Sequence, residues 1–372
     1  MQFKKGLQDF SRTFARAFPT PKLINPAGAG IDISDASIKW LVLEPYVGQY
    51  RVAGYGEEPL PDGVVVSGAV QNVGALGAAL KKVKSHLGAI PCAHAALPEE
   101  AAYVFEMHTP EGVSRDEALH LIEFEFEGRV PITPADAVFD FDVIQKHDDG
   151  GQDIGVAVFP RELAESYVAA FEQGGISLLS LELEARSIAR ATSSGAPDEP
   201  ITLLVDFGRE RTGFAVLKHG IPIFTSTVEV GGDAITKALM EKLSLSAEAA
   251  IQFRNEQGLI PEGADKTKGL DAIAGVASAL SDEVARHYHY WDTRRNERGE
   301  RMTPVGQVIL VGGSANLKGL GDYIMSRVQA PTLTGDVWRR VCDFDTYVPP
   351  IERRVSLQYA TAIGLALRSY PV

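Results

Sequence analysis

The chain has 372 residues, of which 45% are hydrophobic and 23% charged, and its formal net charge is −13. This length predicts roughly two to three domains with sizeable cores. The acidic balance argues against a nucleic-acid-binding surface, which needs a basic footprint. Cys92 and Cys342 show no pairing pattern, which is typical of a reduced compartment. We expect a cytoplasmic protein, because no apolar run approaches the ~20 residues of a membrane span and no signal-peptide core follows the N-terminus.

The first 27 residues are predicted to form a separate segment that ends in a proline-containing linker. Within residues 1–18, apolar residues recur at steps of three or four, so a helix would carry an apolar stripe. Basic side chains in the same stretch are typical of helices that lie on an anionic membrane or dock into a partner groove. Packing onto the chain's own domain, or a tail that orders only in assemblies, is an equally good interpretation. The stripe consists of Phe3, Leu7, Phe10, Phe14 and Phe18.

A hairpin over residues 30–40 carries an aspartate at the end of its first, buried strand. Asp32 is costly there unless a cation or a hydrogen-bond donor meets it. The following turn offers backbone N–H groups and the hydroxyls of Ser34 and Ser37, which could line an anion pocket. Lys39 on the outgoing strand could reach back as a point charge for phosphate. The hairpin therefore suggests a metal–phosphate site.

The chain repeats this arrangement in its second half. An apolar strand ends at Asp206 and Gly208, and a second strand follows over 214–217. Each hairpin is followed by a third short strand, over 50–55 in the first case and over 221–227 in the second. Two equivalent β-β-β units, each with an aspartate at its first turn, predict two similar lobes that face one nucleotide.

A third motif is a buried strand that meets paired glycines. The strand over 308–311 leads into Gly312, Gly313 and Ser314, and a helix is expected to follow. Glycines let the backbone approach a flat ligand closely. The three motifs together are far more specific than any one of them alone.

Helical and strand periodicity predict the elements between these motifs. Ser114 and Glu117 fit a capping box, so the stretch that follows is interpreted as a helix although residues 123–127 alternate like a strand. His287 and His289 could be read as a metal pair, but residues i and i+2 of a helix face different ways, so a structural role is expected. Further helices are expected over 73–87, from 161, from 234, from 247 and over 356–369, and strands over 93–97, 137–145 and 153–159.

The three motifs resemble the phosphate-1, phosphate-2 and adenosine motifs of the actin-like ATPase superfamily, at Asp32, Asp206 and Gly312-Gly313. Within that superfamily the chain is most similar to the PilM family of type IV pilus assembly proteins. The likeness is spread over nearly all of the chain from Gly30 onward. It is carried by GIDISDASIK, LELEARSIARA, LVDFGRERTGFAVLKHG, VEVGGDAIT, VILVGGSANLKGL and SLQYATAIGLALR.

The resemblance implies an α/β, actin-like two-lobed fold, built from duplicated ribonuclease H-like β-sheet domains with an inserted α+β subdomain. Mg-ATP is expected between the lobes. The implied organisation is a basic amphipathic segment and linker over 1–27, a first lobe over 28–200 with the insertion at about 92–174, a second lobe with its own helical subdomain over 201–345, and over 346–372 a C-terminal helix that returns to the first lobe.

The resemblance also implies roles for individual residues. Asp32 and Asp206 would hold Mg²⁺ through waters, since Mg²⁺ usually keeps several of them. Lys39 would neutralise the β- and γ-phosphates, while Thr212 and nearby N–H groups cradle them. Paired glycines at 231–232 would form the lip of the cleft, although a tight turn explains them equally. The full set of expected nucleotide-binding residues is Asp32, Ser34, Ser37, Lys39, Asp206, Gly208, Thr212, Gly231, Gly232, Gly312, Gly313 and Ser314.

Two residues bear on ATP hydrolysis. Glu184 falls where relatives position the attacking water, and a carboxylate that complements a helix N-terminus is the slightly favoured alternative. The family's first hairpin usually has glycine where this chain has Ser34, which predicts slow or absent hydrolysis.

The function implied by the resemblance is that of a cytoplasmic ATP-binding adaptor in type IV pilus assembly and twitching motility, peripheral to the inner face of the cytoplasmic membrane. It would bind the N-terminal cytoplasmic peptide of a PilN-like inner-membrane protein in a groove beside the insertion, and so couple it to other platform and motor proteins. Residues 1–18 could add a peripheral membrane contact. The alternatives are an FtsA-like filament-forming actin homologue, with self-association through the insertion, and a scaffold that binds nucleotide without hydrolysing it.

Overall fold

Two five-stranded sheets, a three-stranded sheet and a short two-stranded ribbon organise the part of the chain that the computed structural model describes. No helix in that part is both long and apolar enough to cross a membrane. The predicted N-terminal helix over 1–18 lies outside the described residues. The structure describes residues 26–88, 91–196, 198–260, 267–295 and 303–370.

The elements follow one another as two β-rich halves that join near residue 200. In the first half they are β1 (Ala29–Ile33), β2 (Ser37–Tyr46), β3 (Gln49–Pro59), β4 (Val65–Val66), β5 (Ala69–Val70), α1 (Val73–Lys84), β6 (Cys92–Leu97), β7 (Tyr103–Thr109), α2 (Arg115–Glu125), β8 (Ala137–Lys146), β9 (Gln152–Pro160), α3 (Arg161–Gly174), β10 (Ser177–Leu183) and α4 (Glu184–Thr192). In the second half they are β11 (Thr202–Phe207), β12 (Thr212–Lys218), β13 (Ile221–Val228), α5 (Gly232–Leu243), α6 (Ala247–Gln257), α7 (Thr267–Thr293), β14 (Gln307–Val311), α8 (Leu320–Val328), β15 (Thr332–Thr334), α9 (Arg353–Ser356) and α10 (Ala360–Leu367).

The first sheet has the strand order β10-β6-β1-β2-β3, with β1 and β2 antiparallel and β6 parallel to β1. The predicted first hairpin is confirmed, and β3 continues to Pro59, beyond the strand predicted over 50–55. Ile31 and Leu41 are fully buried in its core. Helix α1 ends at Lys84, before the predicted end at Leu87. Ser85 is its C-cap residue, and the Ser85 amide donates to the carbonyl oxygens of Lys82 and Val83.

The second sheet repeats this plan in the order β13-β12-β11-β14-β15. β11 and β14 are parallel neighbours, and Leu203, Val205 and Val308 are fully buried, as expected for strands covered on both faces. The second hairpin and its third strand are therefore where the sequence predicted them. Asp206 pairs with Gly213 across the hairpin and with Val311 of β14, so it lies at the end of a buried strand as Asp32 does.

The three-stranded sheet has the order β7-β9-β8 and carries α2 on one face. The capping box of Ser114 and Glu117 is present, so the helical interpretation of this stretch is confirmed. The insertion predicted at about 92–174 contains this sheet and α2 together with β6 and α3. β6 pairs inside the first sheet and α3 packs on α1, which leaves the separate sheet and α2 between them.

The last helix, α10, returns to the first lobe and packs on β1 and α4. The contact is made between backbones: a Cβ on Gly30 would lie 1.8 Å from the Ala362 carbonyl oxygen, and a Cβ on Gly364 would lie 1.8 Å from that of Ser187. Any side chain at either glycine would push the helix away. This close packing fixes the position of β1 and of the aspartate near its end.

Candidate functional site

A cleft of about 680 Å³ lies between the two lobes, at the ends of β1 and β11. Hairpin turns from both lobes and the glycines after β14 form its walls. It brings together the predicted residues Asp32, Ser34, Ser37, Lys39, Glu184, Asp206, Gly208, Gly312, Gly313 and Ser314.

The first hairpin places an aspartate and a lysine side by side. Asp32 and Lys39 are direct partners in the β1–β2 register, so both side chains lie on the same face of the sheet. Lys39 Nζ donates to Ser37 Oγ at 3.1 Å and lies 3.5 Å from Glu57 Oε1. The lysine is therefore held at the cleft by neighbours on two strands.

Ser34 closes the turn of this hairpin by itself. Its amide and its hydroxyl both donate to the Ser37 carbonyl oxygen, at 2.9 and 3.0 Å. The Ser37 amide donates back to Ser34 Oγ at 3.3 Å. The φ of Ser34 is not positive, so a side chain is accepted here without backbone strain.

The glycines after β14 lie directly against the second aspartate. Gly312 has a φ of +88°, and a Cβ there would lie 2.3 Å from Asp206 Oδ1. The Gly312 amide donates to the Leu357 carbonyl oxygen at 3.2 Å, and Ser314 Oγ donates to the Gly208 carbonyl oxygen at 2.8 Å. The third motif is thus joined to the second hairpin, and both face the same space.

Thr212, Gly231 and Gly232 support the wall of the cleft and are not among the residues that line it. Thr212 is fully buried, and its hydroxyl donates to the Val230 carbonyl oxygen at 2.5 Å. Strand alternation turns its neighbours Arg211 and Gly213 towards the cleft, so the role predicted for Thr212 at the phosphates stays a prediction. A Cβ on Gly232 would lie 2.1 Å from Ser314 Oγ, so this glycine allows close packing behind the wall.

Four carboxyl groups gather at the base of the cleft. Burial, and next the charge of Asp32, raise the pKa of Asp206 to about 7. Burial also raises the pKa of Asp32, an effect that Lys39 opposes. Burial likewise raises the pKa values of Glu99 and Glu184 well above their usual range. A cation bound at this base would relieve the repulsion and stabilise the ionised carboxylates.

Glu184 is the first residue of α4, so its carboxylate can complement the helix N-terminus as expected. The same side chain lines the cleft near the other three carboxyl groups. Both predicted interpretations of Glu184 are compatible with this position.

Glu99 and Glu100 are site residues that the sequence prediction missed. They lie on a short turn directly after β6, and a Cβ on Gly213 would lie 2.7 Å from Glu99 Oε2. The sequence does contain the pattern that indicated Asp32, since Glu99 and Glu100 are acidic residues at the end of a buried strand. What could not be seen was that β6 runs parallel to β1 and therefore ends at the same edge of the sheet.

Arg211 joins the two lobes across the mouth of the cleft. Its guanidinium, on the second hairpin, donates to Asp35 Oδ2 of the first hairpin at 2.5 Å and also to the Glu100 carboxylate. All three side chains are less than a quarter exposed. This bridge ties the second hairpin to the first lobe.

We expect Arg211→Gln to lower the free energy of unfolding by about 1–3 kcal/mol, because it leaves two half-buried carboxylates without their cation. Urea unfolding of the variant and the parent protein measures this difference. The matched control is Arg327→Gln, whose partner Asp282 lies on the exposed surface, and it should leave the urea midpoint unchanged because solvent screens an exposed ion pair. Equal effects of the two substitutions would show that the Arg211 bridge between the lobes stabilises the fold no more than a surface ion pair does.

His287 has the structural role that the sequence predicted. Its ring is buried and stacks on Phe214, with 4.3 Å between ring centroids and 5° between planes. Burial lowers its pKa, and its Nδ1 lies 2.8 Å from the Glu283 carbonyl oxygen. His289 is exposed on another face of α7, so the two rings do not form a metal pair.

The family model of the type IV pilus assembly protein PilM matches residues 30–370. The chain belongs to the PilM family. The fold agrees with this assignment: the structure of a PilM–PilN type IV pilus biogenesis complex is similar at a TM-score of 0.75 and 20% identity, over 93% of this chain and 100% of that one. The two-lobed architecture was predicted from the three motifs, and membership in the family from the wider resemblance that begins at Gly30.

Two further solved structures share the actin-like fold. The ethanolamine utilization protein EutJ from Carboxydothermus hydrogenoformans is similar at a TM-score of 0.53 and 16% identity, over 94% of this chain and 91% of its own. MreB5 of Spiroplasma citri bound to ADP is similar at a TM-score of 0.52 and 13% identity, over 91% of this chain and 94% of its own. At these identities the likeness shows the fold alone.

Proposed function

We propose that this chain is an ATP-binding adaptor of type IV pilus assembly that holds the N-terminal cytoplasmic peptide of a PilN-like inner-membrane protein. Membership in the PilM family and the likeness to a PilM–PilN complex support the partner class. The observation that carries the proposal is a groove flanked by two sheet edges, beside a separate cleft suited to a nucleotide. The partner would bring the chain to the inner face of the membrane, with residues 1–18 as a possible second contact.

The residues of the cleft fit Mg-ATP. Asp32 and Asp206 offer oxygen ligands of the kind that Mg²⁺ prefers. The buried Thr227 hydroxyl faces the cleft and has no hydrogen-bond partner among the described residues, and a ligand oxygen would supply one. Lys39 would neutralise phosphate charge, and the glycines at 312–313 leave space for the adenosine.

The excess of acidic side chains in the cleft means that ATP needs a metal ion in order to bind there. Nine acidic and four basic side chains line it, so an unaccompanied polyphosphate would meet net repulsion. The bound metal supplies positive charge between the carboxylates and the phosphate oxygens. Nucleotide binding should therefore depend strictly on Mg²⁺.

ATP hydrolysis is proposed to be slow, because the Ser34 side chain occupies the turn that should meet the γ-phosphate. The Ser37 amide is already engaged with Ser34 Oγ, so it is not free for a phosphate oxygen. Phosphoryl transfer depends largely on positioning, so such a displacement matters. A Ser34→Gly variant should turn over ATP about tenfold faster, as measured by phosphate release on freshly purified protein. A parent turnover on the order of ten per second, typical of enzymes, would contradict the proposal.

The groove proposed for the peptide has a volume of about 340 Å³ and separates the first lobe from the three-stranded sheet. Its floor is the face of β8 and β9 that carries Val138, Asp140 and Ala157, opposite to the face that packs on α2. On the same face, Ile221 and Pro222 of the second lobe pack against Gly155 and also line the groove. β10 forms the other side with residues 181–183, and Arg186 of α4 crosses to Asp142 at 2.6 Å.

Two strand edges flank this groove. β10 is an edge strand of the first sheet, and β8 is an edge strand of the three-stranded sheet, within the part of the chain that the structure describes. Edge strands present unpaired N–H and C=O groups, on which an extended peptide can add a strand. The small side chain of Ala157 leaves room for a peptide side chain on the floor.

Hydrogen exchange with and without the cytoplasmic peptide of the PilN-like neighbour tests this location. Backbone amides of 138–142 or of 181–183 should become protected when the peptide is present, and those of α2 should not change. Protection confined to another surface would contradict the groove. Filaments that form with protein concentration, without peptide binding, would favour the FtsA-like alternative.

A further inference from the structure

A cluster of two histidines and an aspartate lies at one end of the three-stranded sheet, away from the cleft. His108 of β7 pairs directly with Asp153 of β9, and His147 directly follows β8 on the other side of β9. His108 Nδ1 and His147 Nε2 lie 3.0 and 3.1 Å from the same oxygen, Asp153 Oδ1. All three potential ligand atoms lie within 4.8 Å of one another.

The surroundings of the cluster hold these side chains in place. Gln145 Nε2 donates to Asp153 Oδ2 at 2.9 Å, and Lys218 of the second lobe reaches the same oxygen at 3.3 Å. Oδ1 is therefore the oxygen turned towards the two rings. Gly151 permits the close approach of one ring, since a Cβ there would lie 2.8 Å from His108 Cε1.

Two imidazoles and one carboxylate oxygen are the ligand set of a first-row transition metal. A tetrahedral zinc ion has bonds of about 2.0–2.1 Å to nitrogen, and such bonds place neighbouring ligand atoms roughly 3.3 Å apart. Two of the three separations are already close to this value. A fourth position would be open to water, because the rings of His108 and His147 are partly exposed. Mg²⁺ prefers oxygen ligands alone, so the ion of the cleft would not compete here.

We propose that His108, His147 and Asp153 form a binding site for a divalent transition-metal ion of the zinc class. The ion would lie between the two ring nitrogens and Asp153 Oδ1, and Gln145 Nε2, which lies 3.3 Å from His147 Nε2, would turn away from that nitrogen. The site lies where the three-stranded sheet meets the second lobe, since Lys218 also binds Glu106 of β7 at 2.6 Å. The metal would therefore tie together β7, β8 and β9 at the junction with that lobe.

The test is a zinc titration of untagged, full-length protein after treatment with a chelator, in competition with a chromophoric zinc indicator. One equivalent of Zn²⁺ should bind, and it should raise the melting temperature of the protein. His108→Ala and His147→Ala should each weaken zinc affinity by about tenfold or more, and the double variant should lose the site. Mg²⁺ at the same concentration should not displace the bound Zn²⁺, because Mg²⁺ prefers oxygen ligands.

The matched control is His120→Ala, on the exposed face of α2 in the same part of the chain. It should leave zinc affinity unchanged. The metal-free melting temperatures of the histidine variants show whether they are folded, and Asp153→Asn provides a second, nearly isosteric test if one is not. Undiminished zinc binding in the double variant or in a folded Asp153→Asn protein would overturn the proposal, as would the absence of stoichiometric binding to the parent.

Discussion

The Asp206→Asn variant is expected to bind Mg-ATP at least about a hundredfold more weakly than the parent protein, a loss of ~3 kcal/mol. The substitution keeps the size of the side chain but removes one of two carboxylates available to the metal and its waters. Because the cleft is acidic, the phosphates then lose the cation that offsets repulsion. Calorimetric titration with ATP, in the presence and absence of Mg²⁺, measures the change.

The same variant should be more stable than the parent protein when no nucleotide is bound. A raised carboxyl pKa means that the folded state holds the proton more tightly than the unfolded state. The resulting stabilisation is complete below the ordinary value of 3.8 and is lost as the pH rises through about 7. At pH 8 the fold with a charged Asp206 is therefore less stable, by up to about 4 kcal/mol, than the fold with a protonated Asp206. Asparagine has no charge and avoids this destabilisation.

We expect Asp206→Asn to raise the melting temperature at pH 8, by an amount that shrinks towards pH 5. The control is Asp233→Asn, at a carboxylate that also lines the cleft but pairs with Arg209 at 3.0 Å. This control should change ATP affinity less than about threefold. Unchanged Mg-ATP affinity in the Asp206 variant would remove the basis for a metal–nucleotide site.

The second large effect is expected at the groove, where Ala157→Arg should weaken binding of the PilN-like peptide by at least about thirtyfold, or ~2 kcal/mol. Ala157 of β9 lines the groove floor. An arginine there would fill the space for the peptide while its charged end reaches solvent. Fluorescence anisotropy with a labelled peptide measures the affinity.

The matched control for the groove is Phe124→Arg. Phe124 is 80% exposed on α2, and this helix packs on the opposite face of the same sheet. The control adds the same charge to the same part of the chain without touching the groove, so it should leave peptide affinity unchanged. Equal losses in both variants would show that the peptide does not depend on the groove.

The local elements of the cleft were predictable because each depends on a short stretch of sequence. The alternation and turns around Asp32 and Asp206 specify two hairpins, and the glycines at 312–313 specify a close approach. The capping box at Ser114 gave the start of α2 for the same reason. These features need no knowledge of which strands become neighbours.

What the sequence alone could not supply was the pairing between distant segments. Glu99 and Glu100 belong to the cleft because β6 runs parallel to β1. The partner of the Thr212 hydroxyl, the Val230 carbonyl oxygen, also follows from a pairing that the sequence does not show. The cluster of His108, His147 and Asp153 comes together only in the sheet.

Titration of the full-length parent protein with the N-terminal cytoplasmic peptide of its PilN-like neighbour, at saturating Mg-ATP, tests the adaptor function most directly. A scrambled peptide of the same composition is the control. We expect saturable binding of one peptide per chain, and no binding of the scrambled peptide. Equal, non-saturating signals from both peptides, with the protein shown to be folded and loaded with nucleotide, would contradict the adaptor function.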